Sequence, residues 1–290
     1  MSMALILLRT VDQARKLADS GHREGLRLAL VPTMGSLHAG HLALVEEGKR
    51  LADRVVVTLF VNPIQFGPKD DFSKYPRDLS GDLEKCNQAA VAAVFAPDVS
   101  EMYPDGFQTS VEVAEITQGL CGDKRPGHFR GVATVVAKLL GLFRPQVAIF
   151  GEKDYQQVQV IRRLNLDLNL GSQIISVPTV REPDGLAMSS RNAYLSPGER
   201  RRALSISSGL RRAQKLAKEG IEDTREILSG IRQELELAQL REDYVAIVDA
   251  ETLAPIERLS PSRPARALVA AFVGSTRLID NVPLDASHLP

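Results

Sequence analysis

The sequence has little cysteine, no net charge and no long apolar run. Only Cys86 and Cys121 are present, which is too few for a disulfide framework, so a reducing compartment is expected. The 36 basic residues balance the 36 acidic ones, which excludes a global field that recruits nucleic acid or an anionic membrane. No stretch approaches the roughly 20 apolar residues that span a bilayer. The apolar N-terminal run lacks a preceding basic region, so we expect a cytoplasmic protein.

The composition that is present, 44% hydrophobic and 25% charged over 290 residues, is typical of a globular protein with one large or two unequal domains. No internal repeat or low-complexity tract interrupts it. Because the charges balance, a site for a phosphorylated ligand has to be built locally, from a few basic side chains and backbone N–H groups. This pattern favours a small-molecule enzyme.

Apolar runs alternate with helical patterns over the first 177 residues. The predicted strands cover residues 28–32, 55–61, 91–95, 147–150 and 174–177. Such alternation predicts a parallel sheet covered by helices, and near-continuous apolar strands indicate burial on both faces.

The sequence pattern changes after Pro178, where a Pro/Gly/Ser-rich turn leads into charged amphipathic helices. Helices are predicted at 197–219 and 224–240, and strands at 244–249, 267–272 and 277–279. This order predicts a small α+β unit. We place the domain boundary between residues 179 and 180, which gives domains 1–179 and 180–290.

The segment 31–41 (VPTMGSLHAGH) lies where the first of these strands ends and a helix begins. Ligands of open parallel sheets bind beyond the carboxyl ends of the strands, and a helix N-terminus offers unpaired N–H groups to a phosphate. His38 and His41 are three residues apart and fall on one face of the first helical turn. Two imidazoles facing phosphates are therefore predicted, while a plain loop and a metal site using both histidines stay open as alternatives.

Polar segments also follow the later strands. In 61–77 (VNPIQFGPKDDFSKYPR), Asn62 and Gln65 suit hydrogen bonds to hydroxyls or a carboxylate. In 151–157 (GEKDYQQ), Lys153 offers a charge to phosphate oxygens, Asp154 can cap the helix or bind a ribose hydroxyl or Mg²⁺, and Gln157 lies on the same face as Asp154.

Two further segments are compatible with anion binding. In 188–191 (MSSR), two hydroxyls and a guanidinium make a compact phosphate-binding set. The segment 125–131 (RPGHFRG) could form another anion-facing helix entry, but we assign it no catalytic role. Each segment taken alone could be a surface loop, and the functional interpretation depends on their convergence at successive strand ends.

Taken in order and spacing, PTMGSLHAGH, FVNPIQFGPKDDFSKYPR, RPGHFRGV, FGEKDYQQ and MSSRNAYLS resemble the motif series of the pantothenate synthetases, over essentially the whole chain. H-A-G-H is also similar to the H-x-G-H signature of the wider nucleotidyl-transfer superfamily. The lead into RPGH, CGDK, departs from the shorter or less charged lead that is common in the family. The resemblance implies a Rossmann-like, doubly wound α/β domain, a smaller α+β C-terminal domain that covers the site, and a homodimer.

The resemblance also implies a role for each matching residue. The ATP-binding residues would be Met34, Gly35, Ser36, Leu37, His38, Ala39, Gly40, His41, Gly151, Glu152, Lys153, Asp154, Val180, Met188, Ser189, Ser190 and Arg191. Gln65 and Gln157 would hold pantoate, with Gln65 also near β-alanine, and Asn62 would help to line that pocket. His41, together with His38 and Lys153, would serve the chemical step.

The activity implied is an ATP-dependent ligation of pantoate to β-alanine through pantoyl adenylate, with Mg²⁺ helping to neutralise phosphate charge. Two rivals remain open on the sequence. A nucleotidylyltransferase shares the H-x-G-H chemistry but needs a pocket for a phosphorylated acceptor. A non-catalytic nucleotide sensor could use the same fold.

Overall fold

The structure, a computed structural model, describes residues 5–68 and 70–284. These residues form two compact units. The first comprises the described parts of Met1–Gly151 and Val160–Pro178, and the second comprises Glu152–Gln159 and the described part of Thr179–Pro290. The assignment of the functional domains to 1–179 and 180–290 stays a prediction.

The first unit is built on a six-stranded sheet with the order β1-β4-β3-β2-β5-β6, in which every neighbouring pair is parallel. Its strands are β1 (Ile6–Leu8), β2 (Leu28–Thr33), β3 (Arg54–Leu59), β4 (Ala93–Phe95), β5 (Val147–Gly151) and β6 (Gln173–Val177). The helices that accompany them are α1 (Val11–Arg23), α2 (Ala39–Leu51), α3 (Leu79–Gln88), α4 (Val99–Met102), α5 (Leu120–Lys124), α6 (His128–Phe143) and α7 (Tyr155–Asp167), of which α7 belongs to the first unit only from Val160 onward. The predicted α/β sheet is confirmed.

Helices cover both faces of this sheet because successive strand side chains point to opposite sides. On β2, Ala29 faces α2, where a Cβ added to Gly48 would lie 3.4 Å from the Ala29 side chain. The next-door Leu28 faces α1, where a Cβ added to Gly21 would lie 3.3 Å from it. Burial on both faces explains why the strand is apolar throughout.

The strand order reverses at β2, whose neighbours are β3 on one side and β5 on the other. Such a reversal is the topological switch point of a doubly wound sheet, and ligands bind in the crevice beyond the carboxyl ends of the strands there. β2 ends at Thr33, inside the segment 31–41 that carries H-A-G-H, and β5 ends at Gly151. Two of the predicted segments thus begin at adjacent strands.

Two elements of the first unit, β1 and α1, are not predicted from the sequence. β1 is a three-residue edge strand, too short to show a period, and Ile6 is 49% exposed. α1 buries only the small residues Ala14, Ala18 and Gly21, so it lacks the stripe of large apolar side chains that indicates a helix. Thr10 and Gln13 form a capping box at its start, which was the available signal.

The second unit contains an antiparallel sheet with the order β7-β8-β9. Its strands are β7 (Arg241–Asp249), β8 (Ala265–Val273) and β9 (Thr276–Pro283), and its helices are α8 (Pro197–Lys218) and α9 (Thr224–Leu237). Ser196 and Glu199 form a capping box at the start of α8, with Pro197 at the first helical position. The predicted α+β unit is confirmed, and its third strand is longer than expected.

Among the described residues, no helix has both the length and the apolar character needed to cross a membrane.

Candidate active site

The turn that follows β2 has a strained shape that a buried carboxylate holds in place. Gly35 and Ser36 both have positive φ, at 82° and 53°. Asp82, in the first turn of α3, accepts the backbone N–H of Ser36 and of Leu37 through its two oxygens, each at 2.7 Å. The side chain of Asp82 is 2% exposed. The turn N–H groups that could have met a phosphate are therefore used to fix the path of the chain into α2.

His38 and His41 come together at the start of α2, with ring centroids 4.1 Å apart. His38 is the N-cap residue, and its Nδ1 accepts the backbone N–H of Gly40 at 3.1 Å. Nδ1 of His41 accepts the backbone N–H of His38 at 3.3 Å. An imidazole whose Nδ1 accepts a hydrogen bond carries its proton on Nε2. The backbone therefore sets both histidines as Nε2–H donors.

Asn62, Gln65 and Met34 also meet in the first unit. Nδ2 of Asn62 donates to Oε1 of Gln65 at 2.9 Å, and Nε2 of Gln65 donates to Sδ of Met34 at 3.2 Å. Asn62 is 1% exposed, and it also donates to the carbonyl oxygen of Gly131 and accepts from the hydroxyl of Tyr103 at 2.8 Å. Both ends of its amide therefore have partners inside the protein, and these contacts orient the amide of Gln65.

The segment 125–131 holds the backbone of the Gln65 turn. Nδ1 of His128 donates to the carbonyl oxygen of Gln65 at 2.9 Å, and Nη1 of Arg125 donates to Nε2 of His128 at 3.1 Å. Arg125 also pairs with Asp70 at 2.9 Å. Partial burial opposes ionisation of Asp70, but the hydrogen bonds from Arg125 and from the backbone of Gly67 outweigh it and lower the pKa of that carboxyl. Arg125 and His128, to which the sequence alone assigns no catalytic role, thus hold the Gln65 turn in position.

In the second unit, the predicted residues Glu152, Lys153 and Asp154 form one 3₁₀ turn at the start of α7. Nζ of Lys153 lies 3.6 Å from a carboxylate oxygen of Asp154, and the lysine side chain is 19% exposed. Gln157, on the first turn of α7, is half-buried. The turn thus combines a mostly buried ammonium group with a more exposed carboxylate.

The MSSR segment is likewise shaped by contacts within the second unit. The backbone N–H of Met188 donates to the carbonyl oxygen of Val180 at 2.9 Å, which brings two predicted ATP-binding positions together. Oγ of Ser189 accepts the backbone N–H of Arg191 at 3.3 Å and caps a 3₁₀ turn, Ser190–Tyr194. These contacts give the segment one defined conformation.

The predicted site residues therefore divide between the two units. The first unit holds Met34, Gly35, Ser36, Leu37, His38, Ala39, Gly40, His41, Asn62, Gln65 and Gly151. The second unit holds Glu152, Lys153, Asp154, Gln157, Val180, Met188, Ser189, Ser190 and Arg191. Within the residues that the structure describes, no group of three or more His, Cys, Asp or Glu side chains is arranged to hold a metal ion.

Comparison with known proteins gives one consistent family. A family model described as pantoate-beta-alanine ligase matches residues 6–283. A pantothenate synthetase of Myxococcus xanthus is 62% identical over 283 residues, which is 97% of each chain. One from Moorella thermoacetica is 49% identical and covers 97% of this chain and 99% of its own length.

Solved structures agree with these sequence relatives. A crystal structure of pantothenate synthetase from Thermus thermophilus superposes with a TM-score of 0.91 at 45% identity, covering 97% of this chain and 99% of that one. A pantoate-beta-alanine ligase from Francisella tularensis, complexed with beta-gamma ATP and beta-alanine, gives a TM-score of 0.80 at 33% identity, covering 97% of this chain and 98% of that one.

Proposed function

Because the chain belongs to the pantoate-beta-alanine ligase family, we propose how its own residues carry out the ligation in two steps. The enzyme joins pantoate to β-alanine to give pantothenate, and it consumes ATP and releases AMP and pyrophosphate. A carboxylate does not acylate an amine at neutral pH, because oxide would have to leave. ATP solves this problem by converting the carboxylate oxygen into part of a good leaving group.

In the first step, a carboxylate oxygen of pantoate attacks the α-phosphorus of ATP in line, and pyrophosphate leaves with the electrons of the broken P–O bond. The product is pantoyl adenylate, a mixed anhydride. Little covalent chemistry is required of the protein, so positioning and charge stabilisation carry the catalysis. Groups that donate hydrogen bonds to the phosphates are therefore the catalytic groups.

The observation that best supports this proposal is the pair His38 and His41. Both rings have Nδ1 occupied by a backbone N–H, so both present Nε2–H as a donor. Their centroids are 4.1 Å apart, so the two donors can serve neighbouring phosphate oxygens. We assign them to the negative charge that builds up on the α-phosphate and the leaving pyrophosphate.

The remaining ATP contacts are proposed from the residues that match the family motifs. Lys153 supplies a positive charge, and Ser189, Ser190 and Arg191 supply two hydroxyls and a guanidinium suited to phosphate oxygens. The other contacts are assigned to Met34, Gly35, Ser36, Leu37, Ala39, Gly40, Gly151, Glu152, Asp154, Val180 and Met188. For Ser36 and Leu37 the contact has to come from atoms other than the backbone N–H, because Asp82 already binds both N–H groups.

Pantoate is assigned to Gln65 and Gln157, whose amides can donate to its carboxylate and accept from its hydroxyls. Gln65 is 8% exposed and is held through Asn62, so its amide is oriented before substrate arrives. Asn62 then acts on this pocket chiefly by orienting Gln65. In the second step the neutral amine of β-alanine, also placed near Gln65, attacks the acyl carbon and AMP leaves.

Mg²⁺ is proposed to enter with the triphosphate. Mg²⁺ in nucleotide sites is commonly bound by phosphates, waters and one or two carboxylates, without an all-protein cage. The carboxylate of Asp154 suits such a role, because its side chain is 47% exposed. When bound, the ion would offset phosphate charge, and the exposed Asp154 is the carboxylate we assign to it.

Two further features are also proposals. A cytoplasmic location is supported by Cys86 and Cys121, two buried thiols that are not joined in a disulfide and so suit a reducing compartment. A homodimer is proposed on the family resemblance, and light scattering of the purified enzyme tests it.

The decisive experiment is exchange of labelled pyrophosphate into ATP. Adenylation is a complete and reversible half-reaction, so exchange is expected with ATP and pantoate in the absence of β-alanine. Omitting pantoate should abolish it, which separates this enzyme from a transferase with another acceptor and from a nucleotide sensor. Exchange that required β-alanine would contradict the two-step route.

A further inference from the structure

The turn that carries Lys153 is held by two residues of the C-terminal sheet. Nη2 of Arg266, on β8, donates to Oε2 of Glu152 at 2.8 Å. Nδ2 of Asn281, on β9, donates to the carbonyl oxygens of Glu152 and Lys153, at 2.9 and 3.0 Å. Two side chains thus make three hydrogen bonds to two consecutive residues of the turn.

These two residues act from the same face of the sheet. Arg266 pairs with Pro283, and Leu268 pairs with Asn281, across the antiparallel β8–β9 ladder. Cross-strand partners share a face, and so do residues two apart on one strand, so Arg266 and Asn281 are diagonal neighbours. The guanidinium of Arg266 also lies over the ring of Tyr155 at 3.8 Å, which fixes it at the start of α7.

Both residues are deeply buried, at 7% and 4% exposure. Nη1 of Arg266 and Oδ1 of Asn281 are buried without a hydrogen-bond partner. A buried ion pair gives little net stability, and a buried polar atom without a partner is destabilising by about 1–3 kcal/mol. Apolar side chains at positions 266 and 281 would therefore stabilise the fold at least as well as Arg266 and Asn281 do. What the polar residues add is a fixed geometry for the Glu152–Lys153 backbone.

We propose that Arg266 and Asn281 are positioning residues for the ligase reaction, which hold the Glu152–Lys153 turn so that the ammonium of Lys153 is aimed at the ATP phosphates. The inference rests on the proposed role of Lys153 in adenylation. Neither residue has to touch substrate. Since the side chain of Lys153 has four rotatable methylene groups, the direction of its backbone decides how often the ammonium occupies the productive position.

The test is a double-mutant cycle on the full-length enzyme, with pantoate-dependent pyrophosphate exchange as the readout. Asn281→Leu keeps the volume of the side chain and removes both N–H donors. Saturating exchange should fall roughly 10- to 100-fold, the scale of a small misplacement of a catalytic group, with the KM for pantoate unchanged. In a Lys153→Ala background the same substitution should change exchange by less than about twofold, because the group that it positions is gone.

Arg277→Gln is the matched control. Arg277 lies on the same strand as Asn281 and pairs with Asp243 at 2.9 Å, away from the lysine turn. Its loss should leave exchange within about twofold of the parent in both backgrounds, as expected for an independent site. If Asn281→Leu does not fold, Arg266→Met, which keeps the stem and removes the ion pair, gives the same comparison.

Two results overturn the inference. Equal fold-losses in the parent and Lys153→Ala backgrounds would show a general structural effect, and no loss in the parent would show that the turn needs no such support. Failure of the proposed function would give a different result from failure of this inference. In that case the parent enzyme shows no pantoate-dependent exchange, or Lys153→Ala exchanges at the parental rate, before any sheet residue is changed.

Discussion

The carboxylate of Asp82 accepts the backbone N–H of Ser36 at 2.7 Å and so ties helix α3 to the turn that precedes the histidine pair. The second oxygen accepts the N–H of Leu37 at the same distance. A carboxylate is the side chain that can accept from two N–H groups at once without offering a hydrogen of its own. The position of His38 and His41 therefore depends on a residue on a different helix.

Asp82→Asn tests whether Asp82 acts through its two hydrogen bonds or only through the volume of its side chain. The amide keeps the shape but presents an NH₂ group to one of the two backbone N–H groups, which then loses its partner. We expect a loss of about 1–3 kcal/mol in the free energy of unfolding, measured by urea titration, together with slower pyrophosphate exchange. Asp78→Asn, at the exposed N-cap of the same helix, is the control, because asparagine caps about as well as aspartate. An Asp82→Asn enzyme with parental stability and exchange would contradict the assignment.

The two nitrogens of His38 can be tested separately. Nδ1 caps α2, and Nε2–H is the proposed phosphate donor. His38→Asn retains a capping acceptor, but its shorter amide cannot place an N–H where Nε2–H lies, whereas His38→Ala removes both the acceptor and the donor. The Asn variant should unfold at the parental denaturant concentration yet exchange pyrophosphate about 10²- to 10³-fold more slowly, the scale for losing one preorganised donor.

His38→Ala should be as slow and also less stable, by about 1 kcal/mol. The same loss of exchange is expected for His41→Ala and for Lys153→Ala. If His38→Asn kept the parental exchange rate, the histidine would be a cap and no more.

The thiol of Cys86 should be dispensable. It is fully buried, and burial, aided by the nearby charge of Asp82, raises its pKa to about 12. At pH 7 the thiolate fraction is then on the order of 1 in 10⁵, too small for a nucleophile. Cys86→Ala should keep parental exchange, and iodoacetamide should not inactivate the native enzyme. Cys121→Ser should also stay active, and inactivation of either folded variant would reopen covalent catalysis.

Local pattern was enough to predict most of the fold and the histidine pair. The junction of β2 and α2 is marked by an apolar run that ends in glycine and histidine, and His38 and His41 share a face because of their spacing. The six parallel strands alternate with helices as expected, apart from β1. These features are encoded within short stretches of chain.

The supporting residues could not be found in that way, because their partners are distant in sequence. Asp82 is 45 and 46 residues from the N–H groups that it binds, and it lies in a polar helix where a carboxylate is an ordinary surface residue. Arg266 did carry a signal that went unused, since it is a charged residue within an otherwise apolar strand. A buried charge of that kind indicates a specific partner, here Glu152.

Acid should weaken the second unit partly through Asp249. Burial opposes ionisation of this carboxylate, but hydrogen bonds from Arg263 and Thr252 outweigh it and lower its pKa to about 2. A depressed pKa stabilises the fold above the unfolded-state value near 4, and that stability is lost as pH falls toward 2. The free energy of unfolding of Asp249→Asn should be lower than that of the parent at pH 6 and should fall less steeply between pH 4 and pH 2. Parallel pH profiles would contradict this assignment.

The last prediction concerns Gly131 on α6, where the helix touches the turn that carries Gln65. A Cβ added to Gly131 would lie 2.5 Å from the carbonyl oxygen of Ile64 and 2.6 Å from Cα of Gln65. Both are backbone atoms, so Gly131→Ala can be accommodated only if α6 and the turn move apart. That movement would also stretch the hydrogen bond from Asn62 to the carbonyl oxygen of Gly131, which is 3.1 Å long.

We therefore expect Gly131→Ala to raise the KM for pantoate and to slow exchange at low pantoate by roughly the 10²-fold that a displacement of about 1 Å can cost. ATP binding measured alone should change little, because Gln65 is assigned to pantoate. Gly141→Ala on the exposed side of the same helix is the control. No atom lies within 4 Å of its added Cβ, so it should be neutral or stabilising by about 0.5–1 kcal/mol. Equal weakening of ATP and pantoate binding in Gly131→Ala would contradict the assignment of Gln65 to pantoate alone.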